Sequence, residues 1–508
     1  MQKNLYKNSY DLLQNDLKNK ILLLDGAMGT MIQQENLTAD DFGGEKYEGC
    51  NDYLVLQRPD VIKNIHKKYL EAGSDIIETN SFGALDIVLK DYDLEDTVFE
   101  MNKKAAELVN EAIAEYRSEH PEVTRNLYVA GALGPSNKSI SVTGGVTFEE
   151  LIHTYYTAVS GLMAGGVDLI LFETIQDTRN LKAAYLGLKK AMEENYTVPL
   201  MLSFTIESTG TTLAGQTADA FYYAVNHMNP FSVGLNCATG PEFMTQFLKT
   251  LNNVSDTYIS VYPNAGLPNE EGVYEETPDT LAAKIEPFFQ GNFLNIVGGC
   301  CGTTPQYIEK IKAKSINYKP RSIKEHQDTK NAVSGLVTLN PPADRPIYVG
   351  ERTNVIGSRI FKNLIANEKF DATEVARLQI KGDADVIDIC LANPDRDEIS
   401  DMKAFLEKVA KFAKVPIMLD STDINVIKEG LTYLQGKGII NSINLEDGEK
   451  KFTDMTELIK KFGASVVVGL IDESGMAVSL ERKLEIARRS YKLLTEKYGI
   501  DERDIIFD

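Results

Sequence analysis

The stretch NIVGGCCGTTP (295–305) runs from a short apolar segment straight into glycines and sets two of the chain's five cysteines, Cys300 and Cys301, side by side. A short apolar run that ends in small and polar residues reads as a buried strand whose C-terminal end opens onto a loop. The same pattern recurs upstream in ILLLDGAMGT (21–30), DIIETNSF (75–82), LYVAGALGP (127–135), DLILFETI (168–175), LMLSFTI (200–206), SVGLNCA (232–238) and YISVYPNAG (258–266). With NIVGGCCG (295–302) there are eight such runs. Amphipathic segments of helical period, such as PDVIKNIHKKYLEAG and FEELIHTYYTAVSGLMAGG, lie between them. Eight strand–helix units in series predict an α/β fold, a (β/α)8 TIM-type barrel over residues 1–310, with a doubly wound open sheet as the competing architecture. Nearly every run ends in polar or glycine-rich residues, as barrel strands do where their C-terminal ends build an active site.

The pattern breaks over 311–345, where KAKSINYKPRSIKEHQDTKNAVSGL is polar and LNPPADRP supplies prolines; this reads as a linker. It then resumes in PIYVGERTNVIGS (346–358), DVIDICLAN (385–393), VPIMLDST (415–422), IINSINLED (439–447), SVVVGLID (465–472) and IIFD (505–508). Six units are expected over 346–508, a second barrel in tandem that is C-terminally incomplete, so the chain reads as part of a longer protein. At 508 residues two domains are the simplest division. A net charge of −21 argues against nucleic acid or an anionic membrane as a partner. The N-terminus MQKNLYKNSYDLLQNDLKNK is polar throughout, and five cysteines in this length do not form a disulfide framework; a cytoplasmic protein with reduced thiols is expected.

Cys300 and Cys301 stand on glycines at the end of the eighth run, and Cys237 in GLNCATG ends the sixth. Glycines let the backbone twist so that adjacent side chains converge. Three thiolates from two strand ends match a zinc site with an open fourth position, which is catalytic rather than structural in type; packing as small hydrophobes is the alternative. An open tri-thiolate site would take a substrate thiol, lower its pKa from about 8.5 and hold it as a nucleophile, so alkyl transfer to a thiol is the expected chemistry.

The set LLDGAMGT, DIIETNSF, GALGP, FET, GLNC, PNAG and GGCCGTTP resembles the homocysteine S-methyltransferase family, and GERTNVIGS, VIDI, LDST, INSI and IIFD resemble the pterin-binding family. Their order in one chain is similar to the N-terminal half of the cobalamin-dependent methionine synthases. The resemblance implies zinc on Cys237, Cys300 and Cys301, and homocysteine held by Asp25, Gly26 and Glu173, with Asn264 able to approach the metal when homocysteine is absent. Glu78, Thr79 and Asn80 share that rim, either as substrate contacts or as loop hydrogen-bonders. In the second barrel it implies folate contacts from Glu351, Asn354, Asp388, Asp420, Asn441 and Asp508. For any one of these Asp residues, helix capping is the alternative.

The implied activity is methyl transfer from methylcobalamin to homocysteine, giving methionine, with 5-methyltetrahydrofolate replenishing the methyl group through the second module. No DxHxxG-type loop is found in the sequence, so cobalamin is expected on a separate module or partner. The rivals are a homocysteine methyltransferase using S-methylmethionine or betaine, and a non-catalytic zinc- and folate-binding module.

Overall fold

A computed structural model of the protein describes residues 2–267, 274–323, 332–342, 344–367 and 371–508. Parts of the expected linker, 324–331 and 343, lie outside the described residues. Eight parallel strands form the first sheet: β1 (Leu22–Leu23), β2 (Ile76–Glu78), β3 (Tyr128–Leu133), β4 (Leu169–Ile175), β5 (Leu200–Phe204), β6 (Ser232–Asn236), β7 (Tyr258–Tyr262) and β8 (Ile296–Val297). Their order is β1-β8-β7-β6-β5-β4-β3-β2. The circle closes through a parallel bridge between Leu24 and Ile76 and a hydrogen bond from Asp75 N–H to Leu23 O at 2.7 Å. Each of the eight expected runs contains one strand.

Local chemistry starts and stops the helices that follow each strand. Proline opens Pro59–Ala72, Pro241–Val254, Pro278–Gln290 and Pro305–Ser315, where its missing N–H costs nothing. Thr147 and Glu150 close a reciprocal capping box at the start of Phe148–Gly165. Pro305–Ser315 follows the eighth strand and runs past position 310. The interior is lined by Leu22, Ile76, Tyr128, Leu169, Met201, Tyr262 and their neighbours, and Leu13 and Leu17 join them from the N-terminal helix Gln2–Asn19. That helix plugs the end of the barrel opposite the strand C-termini. Asp16 accepts from Tyr128 Oη at 2.8 Å and from Asn126 Nδ2 at 3.0 Å, and Ser9 Oγ donates to Asp168 at 2.8 Å.

The second sheet has β11 (Val349–Asn354), β12 (Val386–Cys390), β13 (Ile417–Asp420), β14 (Ile439–Leu445), β15 (Ser465–Asp472) and β17 (Ile505–Phe507) in parallel, with β16 (Gly475–Met476) folded back antiparallel on β15. A small antiparallel hairpin, β9 (Val333–Ser334) and β10 (Thr338–Leu339), precedes it within the stretch expected to be linker. The six parallel strands match the six expected runs and stop short of a closed barrel. The outer strands β11 and β17 therefore keep exposed apolar residues, among them Val349 and Phe507. The chain divides into two compact units, Met1–Ala214 with Asn229–Glu325, and Gly215–Met228 with His326–Asp508. Among the described residues no helix is long and apolar enough to cross a membrane.

Candidate active site

The C-terminal strand ends of the first barrel bring the three cysteines together. The ligand atoms of Cys237, Cys300 and Cys301 all lie within 4.8 Å of one another, and the sulfurs of Cys237 and Cys301 are 3.9 Å apart. Tetrahedral zinc with Zn–S near 2.3 Å requires sulfur separations of about 3.8 Å, so the donor set fits that ion. The glycines explain how the pair reaches this place. A Cβ on Gly299 would lie 2.4 Å from Thr303 Oγ1, and one on Gly298 would lie 2.8 Å from the backbone oxygen of Asp25. Only glycine lets β8 approach the end of β1 this closely. Cys300 N–H then donates to Pro263 O at 2.9 Å and Ala265 N–H to Cys301 O at 2.9 Å, pinning both cysteines against the end of β7.

Packed together, the thiols share their first negative charge. Hydrogen bonds from Cys237 and Cys300 push Cys301 down to about 3, and the thiol of Cys300 is raised well above its ordinary range by Cys237 and Cys301. A trio of this kind attracts a cation. Cys50 and Cys390 are buried elsewhere, and burial pushes them up to about 11 and about 12. They behave as inert thiols.

Three carboxyl side chains stand at the C-terminal ends of β1, β2 and β4. Asp25 and Glu173 are buried, and Asp25 Oδ1, Glu78 Oε1 and Asn264 Oδ1 are buried without a hydrogen-bond partner. Burial raises all three acids: Asp25 and Glu78 go well above the ordinary range, and Glu173 goes to about 8 with the Cys237 sulfur adding to the shift. Mutual repulsion with Glu173 adds to the shifts of Asp25 and Glu78. Orphaned carboxyl oxygens of this kind, which ionise once a cation is beside them, are built for a cationic ligand. Gly26 packs against Thr303 and the Tyr69 hydroxyl, where a Cβ would come within 2.9 and 3.0 Å, and so the backbone beside Asp25 is fixed. Thr79 and Asn80 serve the loops instead: Thr79 Oγ1 accepts from Ala132 N–H at 3.0 Å, and Asn80 donates to Asn51 O at 2.8 Å.

Sequence reasoning passed over Asn236, the buried residue before Cys237. Its Oδ1 accepts from Thr174 N–H at 3.0 Å and from Ser203 Oγ at 2.6 Å, and its Nδ2 donates to Thr174 Oγ1 at 2.8 Å. The asparagine in GLNC was the available signal.

In the second sheet, four of the six expected residues meet. Asn354 Nδ2 donates to Asp420 Oδ2 at 3.4 Å and Asn441 Nδ2 to Asp388 Oδ1 at 3.3 Å. Burial raises Asp388 to about 6, with Asp420 adding and Asn441 opposing. Asp420 does not cap the helix after it; Asp423 does, accepting from Asn425 N–H at 2.8 Å. Glu351 is exposed on β11, close enough to add to the shifts of Asp388 and Asp420. Asp508 is exposed beyond β17, its backbone N–H donating to Val468 O at 3.1 Å.

A family model described as homocysteine S-methyltransferase matches residues 22–315, and one described as pterin binding enzyme matches residues 350–508. Among solved structures, the metallated form of the homocysteine methyltransferase MmuM from Escherichia coli is 26% identical with a TM-score of 0.50, covering 61% of this chain and 100% of that chain. The oxidized form of the same enzyme is 23% identical with a TM-score of 0.50 and the same coverage, a likeness of fold.

Proposed function

Because this chain belongs to the homocysteine S-methyltransferase family and carries a pterin-binding segment in tandem, we propose that its first barrel methylates homocysteine to methionine. The observation that carries the reading is the placing of three mutually close thiols at the same strand ends as three carboxyl groups that burial raises. Cys237, Cys300 and Cys301 would hold zinc, which when bound supplies a thiol deprotonated at neutral pH. Asp25, Glu78 and Glu173 take the substrate's ammonium, which relieves their mutual repulsion. The backbone at Gly26 lies beside Asp25 to receive the substrate carboxylate, and Asn264 offers its free Oδ1 when the site lacks substrate. In the transfer, the sulfur–methyl bond forms, the donor–methyl bond breaks, and its electron pair leaves with the donor.

The pterin-binding match favours a folate-derived methyl group over S-methylmethionine or betaine as the ultimate donor. On this reading the methyl donor would be methylcobalamin carried by a separate module or partner, and Asn354, Asp388, Asp420 and Asn441 would hold 5-methyltetrahydrofolate as the source of the methyl group. Ring N–H donors and acceptors of a pterin pair with such Asp and Asn side chains. The test is methionine formation from homocysteine and methylcobalamin by the zinc-loaded chain. Turnover lost in Cys301→Ala supports the proposal, whereas turnover retained by that variant refutes the metal site.

A further inference from the structure

In the first barrel β5 lies between β4 and β6, so no backbone ladder joins the end of β4 to the end of β6. One side chain does so. Asn236, the last residue of β6 and fully buried, grips both the N–H and the hydroxyl of Thr174 while accepting from Ser203 of the intervening strand. The residues on either side of this link are the ones the chemistry uses: Glu173 precedes Thr174, and Cys237 follows Asn236. Both turns are held in the left-handed region, Thr174 at φ 54° and Cys237 at φ 56°. A β-branched residue stays there only when its surroundings hold it.

We propose that Asn236 is a positioning residue that sets the spacing between the Glu173 carboxylate and the Cys237 thiol, and thereby fits the site to an amino-acid thiol of homocysteine's length rather than cysteine's. This rests on the reading above, in which Glu173 takes the ammonium and the cysteines' metal takes the sulfur. The two anchor points bind opposite ends of one substrate, so their separation acts as a ruler. A ruler discriminates only if it is stiff. Two hydrogen bonds to Thr174 and one from Ser203 keep the Glu173 turn from relaxing toward an ordinary backbone conformation. One methylene in a fitted site is worth roughly 10- to 200-fold in selectivity.

The experiment is calorimetric binding of homocysteine and of cysteine to the zinc-loaded full chain, with zinc content measured for every variant. Wild type is expected to favour homocysteine by roughly tenfold or more. Asn236→Ala and Thr174→Val keep zinc and bring the preference toward unity, while Thr174→Ser, which retains the hydroxyl, preserves it. A preference unchanged in both disrupting variants, or equal weakening of both thiols, overturns the proposal, because a merely structural brace leaves the ratio alone. Should Asn236→Ala fail to fold, the contrast of Thr174→Val with Thr174→Ser decides. A wild type that binds neither thiol, or both alike, instead refutes the functional reading beneath it.

Discussion

Glu78 donates its backbone N–H to Asp25 Oδ2 at 3.1 Å, while Asp25 Oδ1 stays buried without a partner. One oxygen of this carboxylate is spent on fixing its direction, and the other is left for a ligand. The arrangement costs stability in the empty site, since three acids crowd together, and regains it when a cation arrives.

Neutralising these acids separates binding from metal retention. Asp25→Asn and Glu173→Gln should each weaken homocysteine binding by roughly 10- to 100-fold, the worth of a charge-assisted hydrogen bond, with zinc content unchanged. Calorimetric titration of the zinc-loaded variants checks this.

The weakened acidity of these groups also makes a pH prediction. Burial, with the Cys237 sulfur adding, pushes Glu173 up to about 8 from its ordinary value of about 4.5, so the fold favours its neutral form. Its contribution is fully present below about 4.5 and is lost as pH rises through about 8. Metal-free wild type should therefore lose stability relative to Glu173→Gln as pH climbs across that window. Urea unfolding of the two proteins at several pH values measures the difference.

The strand set was legible in the sequence because each apolar run is short, bounded by glycine or polar residues, and repeated at barrel spacing. DLILFETI yielded β4, and IIFD yielded β17. The cysteines were legible because adjacent thiols on glycines have few purely structural uses. What the sequence hid depends on side chains that meet across strands. Asn236 reads as an ordinary strand-end amide until Thr174 is seen opposite it. The N-terminal helix hid behind its charged face, although Leu13 and Leu17, four residues apart, were the sign of a buried stripe. The hairpin of β9 and β10 and the turn back into β16 involve two-residue strands, too short for any period to show.

That buried stripe carries its own expectation. Leu17 is fully buried in the barrel interior, far in function from the cysteines. Leu17→Ala should destabilise the protein by about 2–5 kcal/mol, read as a lower unfolding midpoint, without altering zinc content.

In the second sheet burial pushes Asp388 up to about 6, so only above that pH does it offer two anionic acceptor oxygens with no O–H donor. Pterin N–H groups favour the ionised acid, and methyltetrahydrofolate affinity should rise as pH passes through about 6 and then level off. Asp388→Asn should remove that rise. Fluorescence titration across pH tests both statements.

The central claim is that Cys237, Cys300 and Cys301 form an open metal site that takes a substrate thiol. Zinc-edge X-ray absorption of the purified, zinc-loaded chain, recorded with and without homocysteine, tests it most directly. The account predicts three sulfur ligands in the absence of homocysteine and four in its presence. A sulfur count that does not change on adding homocysteine, or a protein that retains no zinc, would contradict it.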